Sequence, residues 1–133
     1  MTALIGYVAT LAAMVIADMV WLGVMVDRLY RPTLGDVLAA SVNLPAAIVF
    51  YLIFPIGLTI FAVTPGLRSG SASTAALYGA LFGFFTYATY DLTSQATIRN
   101  WTTQLTVIDI AWGAVLGALA ATAGYAAASR FGG

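Results

Sequence analysis

Tyr87-Ala88-Thr89-Tyr90-Asp91-Leu92-Thr93-Ser94-Gln95-Ala96-Thr97-Ile98-Arg99-Asn100-Trp101 follows a strongly apolar run, Ala75 to Ala88. That places Asp91 inside or at the edge of a membrane-spanning helix. An ionisable residue there costs a few kcal/mol on insertion scales, so it faces a partner or a cavity. Steps of four along this helix read Gly79, Gly83, Tyr87, Asp91, Gln95 and Arg99. Each step drifts by about 40°, because four residues slightly exceed one turn of 3.6. One slowly winding stripe thus carries two small residues, then a phenol, an acid, an amide and a base. The small residues let a neighbouring helix approach closely.

Composition sets the class. Of 133 residues, 62% are hydrophobic and only 8% charged. A soluble domain has about a quarter of its residues charged, so this chain reads as an integral membrane protein. A bilayer core about 30 Å thick needs roughly 20 apolar residues per helix. Four such spans with short connections fill the length as one transmembrane domain, an all-α four-helix bundle.

Absent residues narrow the chemistry. There is no cysteine and no histidine, which removes disulfides, thiolate sites and the commonest metal ligand and general base. No lysine is present either, so no Schiff base forms. The net charge is zero, and nothing points to nucleic acid or to a polybasic lipid attachment. No cofactor is expected.

In chain order, the first span covers about 3–26 and carries Asp18, three residues before Trp21. It is too long for a signal-peptide core and reads as retained. Asp18 lies some eight residues before the span's end, about 12 Å below the interface at 1.5 Å per residue. The connection from Asp27 to Asn43 holds Arg28, Arg31, Pro32 and Asp36, with Leu34, Val37, Leu38 and Val42 at helical spacing. It is either a short helix on the membrane surface or an irregular loop.

Asn43 is a candidate N-cap for a second span over about 44–63, and Pro55 within it predicts a kink. Thr64 to Ser73 reads as a turn-rich link. A third span covers about 74–97, and the short link after it makes the fourth, about 105–128, its antiparallel neighbour. In that fourth span Asp109, Gly113, Gly117 and Ala121 repeat the third span's elements in reverse order. Two small-residue seams that pack together bring Asp91 and Asp109 to similar depth.

Asp18 and Asp91 fall late in spans running one way, and Asp109 early in a span running the other. All three acids therefore occupy one half of the membrane, flanked by Arg28, Arg31 and Arg99. Arg68 and Arg130 flank the other face, so loop charge sets no orientation. Tyr30 and Trp101, near span ends, read as interface anchors. Asp18-Met19-Val20-Trp21 and Asp109-Ile110-Ala111-Trp112, each followed closely by Gly, form a weak internal echo. An indole three residues from an acid shares its helix face and can donate to a polar group near the carboxylate.

These three motifs, in this order, resemble an uncharacterised family of small bacterial inner-membrane proteins catalogued as a domain of unknown function. Its members share a Tyr-Asp-Leu-Thr-Asn-x-Ala-Thr signature, a Trp a few residues later and two flanking Asp-x-x-Trp elements. The resemblance covers nearly the whole chain. It implies four transmembrane helices and a bacterial inner membrane, and supplies no activity. Ser94 stands where the family has Asn, exchanging a side-chain amide for a hydroxyl.

Three functions fit these residues. The first is binding or transport of a small polar or proton-linked solute in an acid-lined cavity. Asp18, Asp91 and Asp109 would titrate there, lined by Tyr87, Tyr90, Thr93, Gln95, Trp21 and Trp112, with Arg99 at the rim. So small a bundle needs a second copy, a homodimer, to enclose a path. The second function is a lipid-handling enzyme or enzyme subunit, with a headgroup near the arginines or Mg²⁺ among the acids. Its repertoire reduces to Asp, Tyr, Ser and Thr, and no catalytic residue is assigned. The third is a structural subunit whose buried acids lock the bundle.

Overall fold

The computed structural model describes residues 1–132, and its elements are helical throughout the described residues. Helix α1 (Thr2–Met25) continues through a wide π turn, Val26–Tyr30, a helical turn, Arg31–Leu34, and a 3₁₀ turn, Gly35–Val37. Helix α2 (Leu44–Leu58) likewise passes through a π turn, Thr59–Val63, into Thr64–Ser69. Helices α3 (Ala72–Thr97) and α4 (Thr103–Phe131) complete the bundle. Three continuous helical runs, Thr2–Val37, Leu44–Ser69 and Thr103–Phe131, are long and apolar enough to cross a membrane. The 26-residue α3 has the length, about 39 Å at 1.5 Å per residue. Its Thr, Tyr, Asp and Gln residues make it less apolar than the other three.

Two boundaries differ from the sequence reading. The first helix does not stop near residue 26. The Arg31 N–H bonds to the Val26 carbonyl five residues back, and this wide turn absorbs the irregularity that Pro32 imposes next. Regular structure ends at Val37, and the chain is irregular to Asn43, so no surface helix reaches Val42. The link after the second span is also shorter than expected. Pro65 follows the π turn inside the same helical run, where the Thr64 N–H bonds to the Thr59 carbonyl five residues back. The chain reverses only at Gly70, whose φ of 65° is left-handed. Pro55 is accommodated within α2 and buried against protein; the Thr59 hydroxyl donates to its carbonyl at 2.7 Å.

Caps follow local chemistry. The side chains of Asn43, Ser71 and Thr102 accept from backbone N–H groups of Ala46, Thr74 and Leu105 and open α2, α3 and α4.

The closest packing is between α3 and α4. A Cβ on Gly79 would lie 2.3 Å from the Gly117 carbonyl oxygen, and one on Gly83 would lie 2.0 Å from that of Gly113. As one number rises the other falls, so the helices are antiparallel. The backbones touch because nothing stands between them. On α1 the buried residues are Gly6, Thr10, Met14 and Asp18, a stripe in steps of four that meets Gly124 and Ala128 of α4. The apolar core gathers Met14, Phe54, Leu58, Val63, Leu116 and Ala120 from α1, the second helical run and α4. A second cluster, Leu29, Leu34, Trp101 and Leu105, closes the acid-bearing end.

Candidate functional site

Where the small-residue seam ends, polar side chains begin. Asp18, Asp91 and Asp109 are 7%, 0% and 6% exposed, one each on α1, α3 and α4. Burying a carboxyl is tolerated only with partners, and two of the three have them. Asp18 accepts from the Tyr51 hydroxyl and, at 3.1 Å, from Trp112 Nε1. Asp109 accepts from the Tyr30 hydroxyl, which itself accepts from Trp21 Nε1 at 2.9 Å.

The two Asp-x-x-Trp elements thus exchange partners. The α4 indole serves the α1 acid, and the α1 indole reaches the α4 acid through Tyr30. Between them the rings of Trp21 and Trp112 stack, with centroids 4.5 Å apart and planes within 4°. The arrangement follows from antiparallel helices carrying the same spacing: each Trp, one turn on from its own acid, lies level with the other's.

Asp91 is different. Neither carboxyl oxygen has a hydrogen-bond partner, though both are buried. Its acidic neighbour is Asp109. Two carboxylates only accept, so a bond between them requires a proton on one. The Tyr87 ring lies on Gly113, where a Cβ would be 2.2 Å from Cγ. Among the described residues the one ion pair is Arg31 with Asp27, at 2.7 Å on the exposed side. No arginine neutralises the buried acids.

Not every residue singled out by spacing arrives. Thr93 is exposed and its hydroxyl returns to the backbone carbonyls of Thr89 and Tyr90. Gln95 donates to Thr103 at 2.9 Å, bridging the α3–α4 link away from the acids. Arg99 is exposed beyond the end of α3. The reason is the drift itself: after Asp91 two more steps of four carry the stripe off the buried face. A step of three keeps it, and Ser94 is buried there instead. Tyr90 lies outward, edge-on to Trp101 with centroids 5.6 Å apart.

Two expected interface anchors belong inside. Trp101 is 9% exposed, packs with Leu29, Leu34 and Leu105, and donates from Nε1 to Thr106 at 3.0 Å. Tyr30 is a central bridge of the site, carried inward because α1 does not end at residue 26. Tyr51 was missed as well; its place one turn before Pro55 in an otherwise apolar span was the available signal. A three-carboxylate Mg²⁺ site does not form. Among the described residues no three acidic side chains gather at ligand spacing.

Two cavities border the cluster. One of about 320 Å³ is lined by Tyr30, Tyr90, Trp101, Asp109, Arg31 and Leu34, with residues 38–40 and 42 of the irregular segment over it. The other, about 350 Å³ and almost wholly apolar, lies between α2 and α3 against Phe50, Phe54, Thr86, Tyr87 and Tyr90.

Fold and site together define an all-α membrane bundle with an acid and aromatic cluster in one half. The chain belongs to the family described as predicted membrane protein DUF2177, a domain of unknown function, whose model matches residues 3–126. No curated protein and no solved structure matches it.

Proposed function

We propose that this chain binds a small polar solute and exchanges it against a proton held between Asp91 and Asp109, as a transporter-like protein of the bacterial inner membrane. The observation that carries this reading is Asp91: fully buried, with no donor and no cation, against a second carboxyl. Neighbouring like charges at low dielectric resist ionising together, and in this reading the pair carries one proton. A pure lock would pair the acid with a donor, as Asp18 and Asp109 are paired. Asp109 also lines a cavity with Tyr30 and the exposed Arg31, and in this reading that cavity is the pair's route to water. A homodimer supplies the remainder of a path across the bilayer, because the seam half is closed by touching backbones.

The test is lumenal pH in proteoliposomes under an imposed proton gradient and a panel of polar solutes. Wild type should move protons with solute, and Asp91→Asn should not. No movement by wild type across the panel would end the transport reading. The apolar groove beside Tyr87 favours a second reading, a lipid-handling protein with an acyl chain against Phe50 and Phe54 and a headgroup toward the acids. It predicts lipid turnover that Asp18→Asn removes.

A further inference from the structure

The buried cluster is short of positive charge. Asp18, Asp91 and Asp109 bring three acids, every hydrogen bond they accept comes from a neutral phenol or indole, and no arginine pairs with them. The cavity beside Asp109 has a particular lining. Three aromatic side chains, Tyr30, Tyr90 and Trp101, stand around it with Leu34, and Asp109 is its one carboxylate. Arg31 at the rim is already paired with Asp27 at 2.7 Å.

We infer that this cavity is a binding site for an organic ammonium ion, held by the Asp109 carboxylate and the faces of Tyr30, Tyr90 and Trp101, whose entry displaces the proton shared by Asp91 and Asp109. The inference rests on the proposed proton-linked reading and names its solute class. A hard divalent ion takes six or more oxygen ligands, and one carboxylate among rings and aliphatic walls does not supply them. A bulky, weakly hydrated ammonium loses little on leaving water and gains from ring faces and the opposite charge. An anion would face the Asp109 carboxylate. A volume of about 320 Å³ is within the range of small-molecule sites.

The second observation is Asp91. Its side chain is fully buried, its oxygens lack partners, and Asp109 is its acidic neighbour, so it is placed to take up a charge change there. With the site empty, the pair shares a proton. When a cation pairs with Asp109, that proton leaves to water and charge in the site is conserved. The titratable and charged groups around the site are Tyr30, which bonds to Asp109, Tyr90 and Arg31, which line the cavity with it, and Asp18 and Tyr87, which act on it or its partners through charge. Tyrosines remain neutral across the working range, and Asp18 is held by Tyr51 and Trp112.

Quaternary ammonium chemistry is offered both by water-borne amines and by choline headgroups. The test uses the full chain in nanodiscs and benzyltrimethylammonium as probe. Titration calorimetry in two buffers of different ionisation enthalpy reads affinity and proton release together. Saturable binding with about one proton released per cation is expected, with neopentylbenzene, the neutral isostere, failing to compete. Asp109→Asn should weaken binding roughly tenfold or more, and Tyr90→Leu severalfold. Asp91→Asn should abolish proton release and the pH dependence of affinity. Equal probe binding by wild type and a correctly folded Asp109→Asn, or competition by neopentylbenzene, overturns the site. Proton release that persists in Asp91→Asn overturns the coupling, whatever the fate of the Asp109 variant. At a matched fraction of anionic lipid, weaker probe binding in nanodiscs containing phosphatidylcholine than in nanodiscs without a choline headgroup assigns the site to a headgroup, and equal binding to a water-borne amine. Probe binding without flux in proteoliposomes would remove the transport reading alone. Asp91-dependent proton flux without probe binding would remove the ammonium site alone.

Discussion

The two halves of the α3–α4 pair are built on opposite principles. In one half Gly79 and Gly83 meet Gly117 and Gly113 so closely that the backbones touch, and no polar side chain intervenes. In the other, α3 meets α4 through side chains, with the Tyr87 ring on Gly113. Acids, phenols and indoles of α1, the π turn after it, α2 and α4 bond to one another beside them. Contact through backbone is rigid, since no rotamer can relieve an added atom. Contact through side chains is adjustable, because each hydroxyl rotates and each carboxyl accepts from several directions. The first half therefore fixes the geometry. The second leaves its side chains room to rearrange.

The comparison breaks most sharply in the seam. Gly83→Val should cause the largest loss, because its Cβ would start 2.0 Å from a backbone oxygen. Overpacking of a well-packed core costs about 1–3 kcal/mol and more where backbone must move, so folded protein in detergent should fall steeply, read by gel filtration and thermal unfolding. Next is Asp18→Leu, which strands the Tyr51 hydroxyl and the Trp112 N–H. Each unsatisfied donor costs about 1–3 kcal/mol, and thermal unfolding should drop while the secondary structure seen by circular dichroism persists. Tyr51→Phe removes one donor and leaves Trp112 on Asp18, so the loss should be near 1 kcal/mol.

Asp91→Asn sharpens the contrast between the acids. Its amide can donate to Asp109, so thermal stability at neutral pH should hold or rise, where Asp18→Leu falls. A large destabilisation would mean that Asp91 is a structural lock. The smallest effect belongs to Thr93→Val, whose hydroxyl bonds only to its own helix. Stability and solute binding should stay within about 0.5 kcal/mol of wild type.

Trp101 and Tyr30 show where sequence reading stops. Both lie near span ends, and in a membrane protein that position favours interfacial anchoring. What moved them inside is a continuation of helix through Val26–Tyr30, a local widening with no composition signal. Trp112 and Trp21 show the converse. Their spacing from Asp18 and Asp109 marked a donor near each carboxylate, yet which indole serves which acid depends on how α1 lies against α4. The stripe on α3 was legible as far as Asp91 and then misled, because a period of four outruns the helix and leaves Gln95 and Arg99 on the outside.

Composition and hydropathy by themselves determined a membrane-embedded all-α chain, because so few charged residues cannot cover a water-facing surface. The order of small and acidic residues also determined that α3 and α4 pack antiparallel with Asp91 and Asp109 at one level. Only the tertiary structure decided which acids have donors and which one has none. That assignment depends on side chains from α1 and α2, Tyr30 and Tyr51, reaching across a bundle, at separations of 79 and 33 residues from their partners. No local spacing encodes such contacts, and the charge left unbalanced at Asp91 is their outcome.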